Sequence, residues 1–400
     1  MDAPSPPLRG AASSAEPVEV AVVGGGPVGL ATAVGLARAG RRVRVLGAGA
    51  APADGRTVAV MAPALALLAR LGLDLAARPG TAPLRALRIV DDTGSLFRVP
   101  PVVFEAAELG LPAFGRNIEA ATLADALREL AAATPGVALD PARVAGTRLE
   151  DDVRRLTLES GRELACRLVI ATDGRASPTR AAAGIGARRR RWGQAALTAL
   201  LAHARPHDDV STEFHTREGP CTLVPLPGRR SSLVWMMRTA EAERRAALDD
   251  AGFAREVEAA THALLGGLRV DGPRGLARLE TVSATALAAP RLLLAGEAAH
   301  AFPPIGAQGL NLGFRDAADA VEAVARAPDP GDAAATDAYA RARESDVRAR
   351  VAAVDALNAS LLSDLGMVDF ARGAGLVALS RVGPLRRAVM RAGLAPRGAA

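Results

Sequence analysis

Val18-Glu19-Val20-Ala21-Val22-Val23 runs directly into Gly24-Gly25-Gly26-Pro27-Val28-Gly29, and Leu30 to Arg38 follows with helix-forming composition. The first six residues are a short, largely β-branched apolar run, which reads as a buried strand. Val43 to Leu46 reads as the next strand. Strand, glycine turn, helix and second strand within about 30 residues form the context that a dinucleotide fingerprint requires. Glycine at 24, 26 and 29 lets the chain turn tightly and lets backbone N–H groups at a helix start approach a pyrophosphate. One position departs from that pattern. A carboxylate usually ends the second strand and holds the adenosine ribose, but Gly47 stands there. Either backbone or water replaces it, or adenosine binding is weakened.

Working outward, Pro63 to Leu73 and Leu123 to Ala132 read as helices, and Leu84 to Val103 as short strands around an Asp91–Gly94 turn. Val144 to Ile170 holds three strand-like runs that end in the apolar stretch Leu168 to Ala171. Ala195 to Met237 alternates like sheet, with turns at Glu218-Gly219-Pro220 and Pro227-Gly228, and Ala240 to Leu265 reads as helical. Arg291 to Ala295 is another buried strand, with a helix from about Asn311 that Pro328-Asp329-Pro330-Gly331 closes. Beyond it, Val347, Val351, Val354, Leu361 and Leu365 make an apolar stripe at helical spacing. Met1 to Glu16, rich in Ala, Pro and Ser, reads as a loose tail.

Composition narrows the function. The net charge is +6, but all the basic residues are arginine and only 3 % of residues are aromatic, so stacking platforms for nucleic acid are missing. The Arg188–Arg191 cluster reads as a solvated loop. Cys166 and Cys221 lie far apart, and the five histidines show no metal-like spacing, so neither a disulfide framework nor a metal is expected. No apolar run reaches the roughly 18 residues of a membrane span. The expected setting is a reducing cytoplasm, with a peripheral place at the inner membrane as an option.

Two further motifs follow strand ends. One is Ala171-Thr172-Asp173-Gly174-Arg175-Ala176-Ser177-Pro178-Thr179-Arg180. The other is Gly296-Glu297-Ala298-Ala299-His300, continued by Pro303-Pro304-Ile305-Gly306-Ala307-Gln308-Gly309-Leu310-Asn311-Leu312-Gly313. In this order and separation, the three segments resemble the FAD-dependent aromatic hydroxylases with a para-hydroxybenzoate-hydroxylase-like fold, from about Val18 to at least Ala325. Within that family the chain most resembles the ubiquinone-biosynthesis hydroxylases, also through Glu218 to Leu226 and Ser232-Leu233-Val234-Trp235.

The resemblance implies an α/β protein: a Rossmann-like FAD-binding domain, an inserted antiparallel-sheet substrate domain and C-terminal helices. Residues 18–83, 112–187 and 285–327 would form the FAD domain, 84–111 and 188–284 the substrate domain, and 328–400 a helical region after a 1–17 tail. It also implies site roles. Gly24, Gly26 and Gly29 would face the FAD pyrophosphate, and Arg56 would reach the flavin side. Asp173 and Gly174 match a loop shared by FAD and NAD(P)H, braced by Arg180. Glu297 stands where the family usually has Asp and would hold the ribityl chain. Backbone N–H groups of Gly309, Leu310 and Asn311 would sit by the flavin's pyrimidine edge.

Other residues keep two readings each. Pro303 and Pro304 either shape the ring-facing wall or stiffen a turn, and Arg56 could be surface. Asn117 is a candidate flavin neighbour. Pro225, Trp235 and Phe214 line the substrate pocket or fill core. His300 reads better as a loop-orienting residue than as a base.

The implied chemistry belongs to the cofactor: NADH or NADPH reduces the flavin, and O₂ supplies an oxygen to an electron-rich ring carbon. The protein holds the flavin, excludes water and places the ring, so no catalytic side chain is nominated. Tyr339 is the sole tyrosine, so a tyrosine chain that strips a phenol proton is excluded; water, His215 or the flavin environment is left for that task. The implied substrate is a polyprenyl phenol or benzoquinone precursor. Another phenol or polyketide, or a non-catalytic scaffold, are the rivals. Ala371 to Arg397 carries six arginines and no acid among apolar residues; it meets a membrane surface or a biosynthetic partner, or simply caps the fold.

Overall fold

The computed structural model describes residues 16–50, 54–94, 100–304, 308–361, 375 and 381–394. The expectations for the N-terminal tail, for Leu365 and for much of Ala371–Arg397 lie outside these residues.

The first sheet is built on β1 (Val18–Val23), which pairs in parallel with β2 (Val43–Leu46) on one side and β11 (Glu163–Ala171) on the other. β8 (Val137–Asp140) extends the β2 side, and β18 (Leu292–Leu294) and β17 (Ala288–Ala289) extend the β11 side. β9 (Val144–Glu150) and β10 (Val153–Leu158) feed β11 as an antiparallel meander. From Val20 onward β1 is buried on both faces, which explains the apolar run Val20 to Val23. Val20 and Val22 meet Leu30 and Val34 of α1 (Pro27–Arg38), while Ala21 and Val23 meet Leu156, Leu158 and Cys166. Helices α2 (Ala62–Arg70) and α3 (Ala120–Ala132) complete this layer, and the short α4 (Pro178–Ala182) follows β11.

The second sheet runs β19-β16-β12-β15-β14-β13-β5-β6. Its strands are β5 (Ala86–Asp92), β6 (Val102–Glu105), β12 (Ala187–His203), β13 (Val210–Thr216), β14 (Gly219–Leu226), β15 (Arg230–Arg238), β16 (Leu268–Ala284) and β19 (His300–Ala301). A small third sheet, β3 (Thr57–Met61), β7 (Gly115–Glu119) and β4 (Ala82–Pro83), lies between the two. One face of the second sheet is sealed by α5 (Thr239–Ala246) and α6 (Asp250–Ala260), whose Ala242, Phe253 and Val257 pack on Leu197, Leu223 and Trp235. The remaining helices are α7 (Gln308–Ala325), α8 (Ala333–Leu361) and α9 (Gly383–Leu394).

Three readings need correction. Arg188–Arg191 is not a loop but the start of β12, paired with Glu280 to Ser283 of β16 while its side chains stay exposed. The Ala240–Leu265 stretch is two helices, because Asp249 accepts the Gly252 N–H and starts α6 afresh. β16 went unseen as a strand, since Gly272, Pro273 and Gly275 interrupt its pattern.

Candidate cofactor and substrate site

The sheet register brings the three motifs together. Val23 of β1 lies beside Ala171 of β11, and Ala171 beside Leu294 of β18, all parallel. The loops that follow therefore leave the same edge, at the carboxyl ends of the strands where open α/β sheets bind ligands. Thr172 ties two of them: its hydroxyl lies 3.0 Å from the Val23 carbonyl and 2.9 Å from that of Gly24. The third is fitted to the first by absence of side chains. A Cβ on Gly313 would stand 2.6 Å from Val28 Cγ2, and one on Gly296, at φ 61°, would stand 3.3 Å from the same atom.

The turn itself is sealed on one side and open on the other. A Cβ on Gly29 would overlap the Gly24 carbonyl and stand 2.5 Å from Thr172 Oγ1, whereas one on Gly26 would meet nothing within 4 Å. Gly26 is also the N-cap of α1, which has no side-chain cap and no acid in its first turn. Free N–H groups facing open space at a twelve-residue helix start make a site for an anion.

The second loop is self-braced. Asp173 accepts from the Ser177 hydroxyl at 2.5 Å and from the Thr179 N–H at 3.1 Å, so its carboxylate caps α4. The buried Arg180 donates to the carbonyls of Ala298 (2.7 Å) and Arg175 (3.0 Å) and so links this loop to the third. Gly174 sits at φ 85°, with open space around it. Glu297 is exposed, with Arg175 at 3.5 Å. Arg56 is exposed as well and pairs with Asp54 at 2.7 Å. Gly47, at φ 75°, donates its N–H to the Ala142 carbonyl, so the end of β2 presents no carboxylate.

Below the third loop is a buried charge network that the sequence reading missed. Asp316 of α7 accepts from the Gly296 N–H at 2.8 Å, contacts His300 Nε2 at 2.7 Å and pairs with Arg343 of α8 at 2.7 Å. Arg343 also binds Asp319 and Asp346, each at 2.9 Å. Burial works against the Asp316 carboxylate, but His300, Arg343 and the Gly296 N–H outweigh it and hold its pKa below the ordinary range. Tyr339, fully buried on α8, donates to the Leu294 carbonyl at 2.7 Å. Asn311, at the start of α7, accepts from the Met61 N–H and donates to the Ala59 carbonyl. α7 and α8 thus pin the third loop from behind.

A model of an FAD binding domain matches residues 17–354. The chain belongs to this FAD-binding family. It is 35% identical over 395 residues to a ubiquinone hydroxylase of Rhodospirillum rubrum, an alignment spanning 96% of this chain and 91% of the relative. It is 31% identical to the 3-demethoxyubiquinol 3-hydroxylase of Escherichia coli, over 94% of this chain and 98% of the relative. Its fold is that of the p-nitrophenol 4-monooxygenase of Pseudomonas putida, with TM-score 0.77, 22% identity and coverage of 95% and 98% of the two chains. The flavoprotein is an FAD-dependent monooxygenase of the aromatic hydroxylase kind. The open, uncapped cradle at Gly26 fits the pyrophosphate of that cofactor.

The face of the second sheet opposite α5 and α6 meets the small third sheet. There the Ser232 hydroxyl accepts from the Thr57 hydroxyl (2.7 Å) and from Asn117 Nδ2 (3.2 Å), and Asn117 Nδ2 also donates to the Pro225 carbonyl. Asn117 thereby joins the small sheet to the second one. Side chains alternate across a strand, so Thr198, Glu213, Thr222 and Val234 share this face, all half-buried. Trp235 and Phe214 point the other way, into the core under α5 and α6, with the Arg245 guanidinium 4.2 Å above the Trp235 ring centre. Pro303 and Pro304 follow β19, which pairs with β16 at the edge of this sheet. α9 covers the β5–β6 end, its Met390 and Leu394 on Val102, Phe104, Leu87 and Ile89. Among the described residues no cluster suited to a metal ion occurs, and no helix is long and apolar enough to cross a membrane.

Proposed function

We propose that this monooxygenase hydroxylates a prenylated phenol or quinol ring on the route to ubiquinone, using NADH or NADPH and O₂. The carrying observation is likeness along nearly the whole chain to two hydroxylases named for ubiquinone intermediates. The face of the second sheet opposite α5 and α6 suits such a substrate as a cleft wall: Val224 and Val234 offer apolar surface beside a few polar groups.

When bound, FAD supplies the redox and oxygen-transfer chemistry. The protein's own residues do the rest. Gly24, Gly26 and Gly29 would admit the pyrophosphate to the α1 N-terminus, and Glu297 would hold the ribityl hydroxyls. Arg180 and the Asp316 network fix the loops, and the Gly309–Asn311 backbone would hold the pyrimidine edge. Arg56 would bind on the flavin side, with Asp173 and Gly174 in the loop shared with NAD(P)H. Pro303 and Pro304 would shape the cleft, whereas Pro225, one residue out of phase with Val224, turns its ring to the opposite face and offers only its carbonyl, to Asn117. Trp235 acts from behind, by packing the sheet that carries the substrate face.

Deletion of the gene followed by mass spectrometry of quinone intermediates tests this reading. A ubiquinone precursor short of one oxygen accumulates. An unchanged quinone profile contradicts the proposal.

We also propose that α9 brings this cleft to a membrane surface. Val382, Leu385 and Val389 lie on one side of this segment and are 44–46% exposed, beside the exposed arginines Arg387 and Arg391. The same helix walls the β5–β6 end of the cleft, where a water-insoluble substrate would enter. Full-length protein should float with vesicles containing anionic lipid, and Leu385→Asp with Val389→Asp should leave it in the soluble fraction. Equal flotation of the two proteins removes the idea.

A further inference from the structure

Two polar side chains on the cleft face, the half-buried Glu213 and the buried His215, have no role in holding FAD. Glu213 and His215 sit two residues apart on β13, hence side by side on that face. His215 Nε2 lies 2.7 Å from Glu213 Oε1, and the Thr222 hydroxyl donates to Glu213 Oε2 at 3.2 Å. Burial opposes the Glu213 charge, yet the His215 and Thr222 interactions outweigh it and hold the carboxyl below its ordinary range. An ionised carboxylate only accepts hydrogen bonds, so Nε2 is the donor to Glu213, and in the neutral imidazole Nδ1 is then the nitrogen left as acceptor. His215 is 6% exposed, and this Nδ1 has no hydrogen-bond partner.

Gln194 adds a second unmet demand. It is 2% exposed, it shares the cleft face with Ala196 and Thr198, and neither atom of its amide has a partner. Its Nε2 comes near Gly219, the residue before Pro220, and Pro220 is the register partner of His215. Each such orphan has lost its water without gaining a partner, a cost that a ligand with matching groups removes. Tyr339 cannot serve, being buried against Leu294 on α8.

We propose that His215 Nδ1 takes the proton of a ring hydroxyl on the substrate, while Gln194 hydrogen-bonds an oxygen of the same ring. The inference rests on the reading of this chain as a ring hydroxylase and names the substrate form: a phenol or quinol, not a quinone or a fully methylated ring. In the step, the phenolic O–H bond breaks, its electron pair stays on oxygen and enriches the ring, and an N–H bond forms at Nδ1. Glu213, a positioning residue, fixes the tautomer and stabilises the imidazolium. The proton returns to the product oxygen, so no further reactant is consumed.

The test uses FAD-reconstituted enzyme without NAD(P)H, titrated with 4-nitrophenol and with its methyl ether, 4-nitroanisole, at a pH where the free phenol is protonated. The wild type should bind the phenol roughly 10- to 100-fold more tightly than the ether and show the phenolate absorption band on binding. His215→Asn and, separately, Glu213→Gln should keep flavin colour but lose both the band and the preference. Equal affinity for the two probes, or a phenolate band that survives in His215→Asn, overturns the inference and leaves aromatic binding intact. Should His215→Asn not fold, Glu213→Gln decides by the same band. A wild type that holds FAD but binds neither probe overturns the hydroxylase reading beneath it.

Discussion

Gly29→Ala should yield a protein that purifies without flavin colour, binds added FAD about a hundredfold more weakly and melts earlier. The added methyl overlaps the Gly24 carbonyl and crowds Thr172 Oγ1, and backbone cannot step aside without moving the end of β1. Forcing a carbon into a closed contact costs about 1–3 kcal/mol, and the displaced turn no longer aims its N–H groups at the pyrophosphate. Gly26→Ala is the matched control. Its methyl meets no protein atom, and φ −77° suits alanine, so stability should hold while FAD binding falls because the methyl occupies the approach to the helix start. Flavin titration and thermal melts of both variants check this. Equal FAD affinity in Gly29→Ala and wild type would contradict the account of the turn.

Asp316→Asn should be the most destabilising single change in the FAD domain, at about 3–5 kcal/mol. It removes the charge that Arg343 pairs with and that accepts from the Gly296 N–H, and leaves Arg343, 3% exposed, with only Asp319 and Asp346. The loss should reach the cofactor, because Gly296 and His300 lose their common anchor and the third loop loosens. Its pH dependence has a definite sign. The folded pKa of Asp316 lies below its ordinary 3.8. The stabilisation is therefore complete above that value and disappears as pH falls through the lower, folded one. The stability gap between wild type and Asp316→Asn should be widest near neutral pH and close below about pH 4. Denaturant unfolding at several pH values measures it; a gap that widens on acidification would contradict the assignment.

The motif loops could be read from the chain because glycines and buried β-branched runs report local requirements. β1 and β2 match the residues predicted for them, since both are short apolar runs ended by glycine. What brings the three loops together is the parallel pairing of β1, β11 and β18, a long-range fact that no local pattern carries. The same limit hid Asp316 and Arg343. On α7 and α8 each looks like one more charge on a charged helix, and only the crossing of those helices buries the pair. β16 was missed because its glycines and proline mimic a loop, while pairing along most of β12, with two register shifts, keeps it in the sheet. Trp235 shows a parity effect: one residue along β15 separates the cleft face from the core under α5 and α6.

On the proposed reading, the three loops hold one flavin beside a ring that lies on the β12–β15 face. The direct measurement is mass spectrometry of the product formed by FAD-reconstituted protein from a prenylated phenol, NAD(P)H and heavy-isotope O₂. The account predicts one heavy oxygen bonded to the ring. NAD(P)H oxidation that delivers all of the labelled oxygen to hydrogen peroxide, with the phenol returned unchanged, would contradict it.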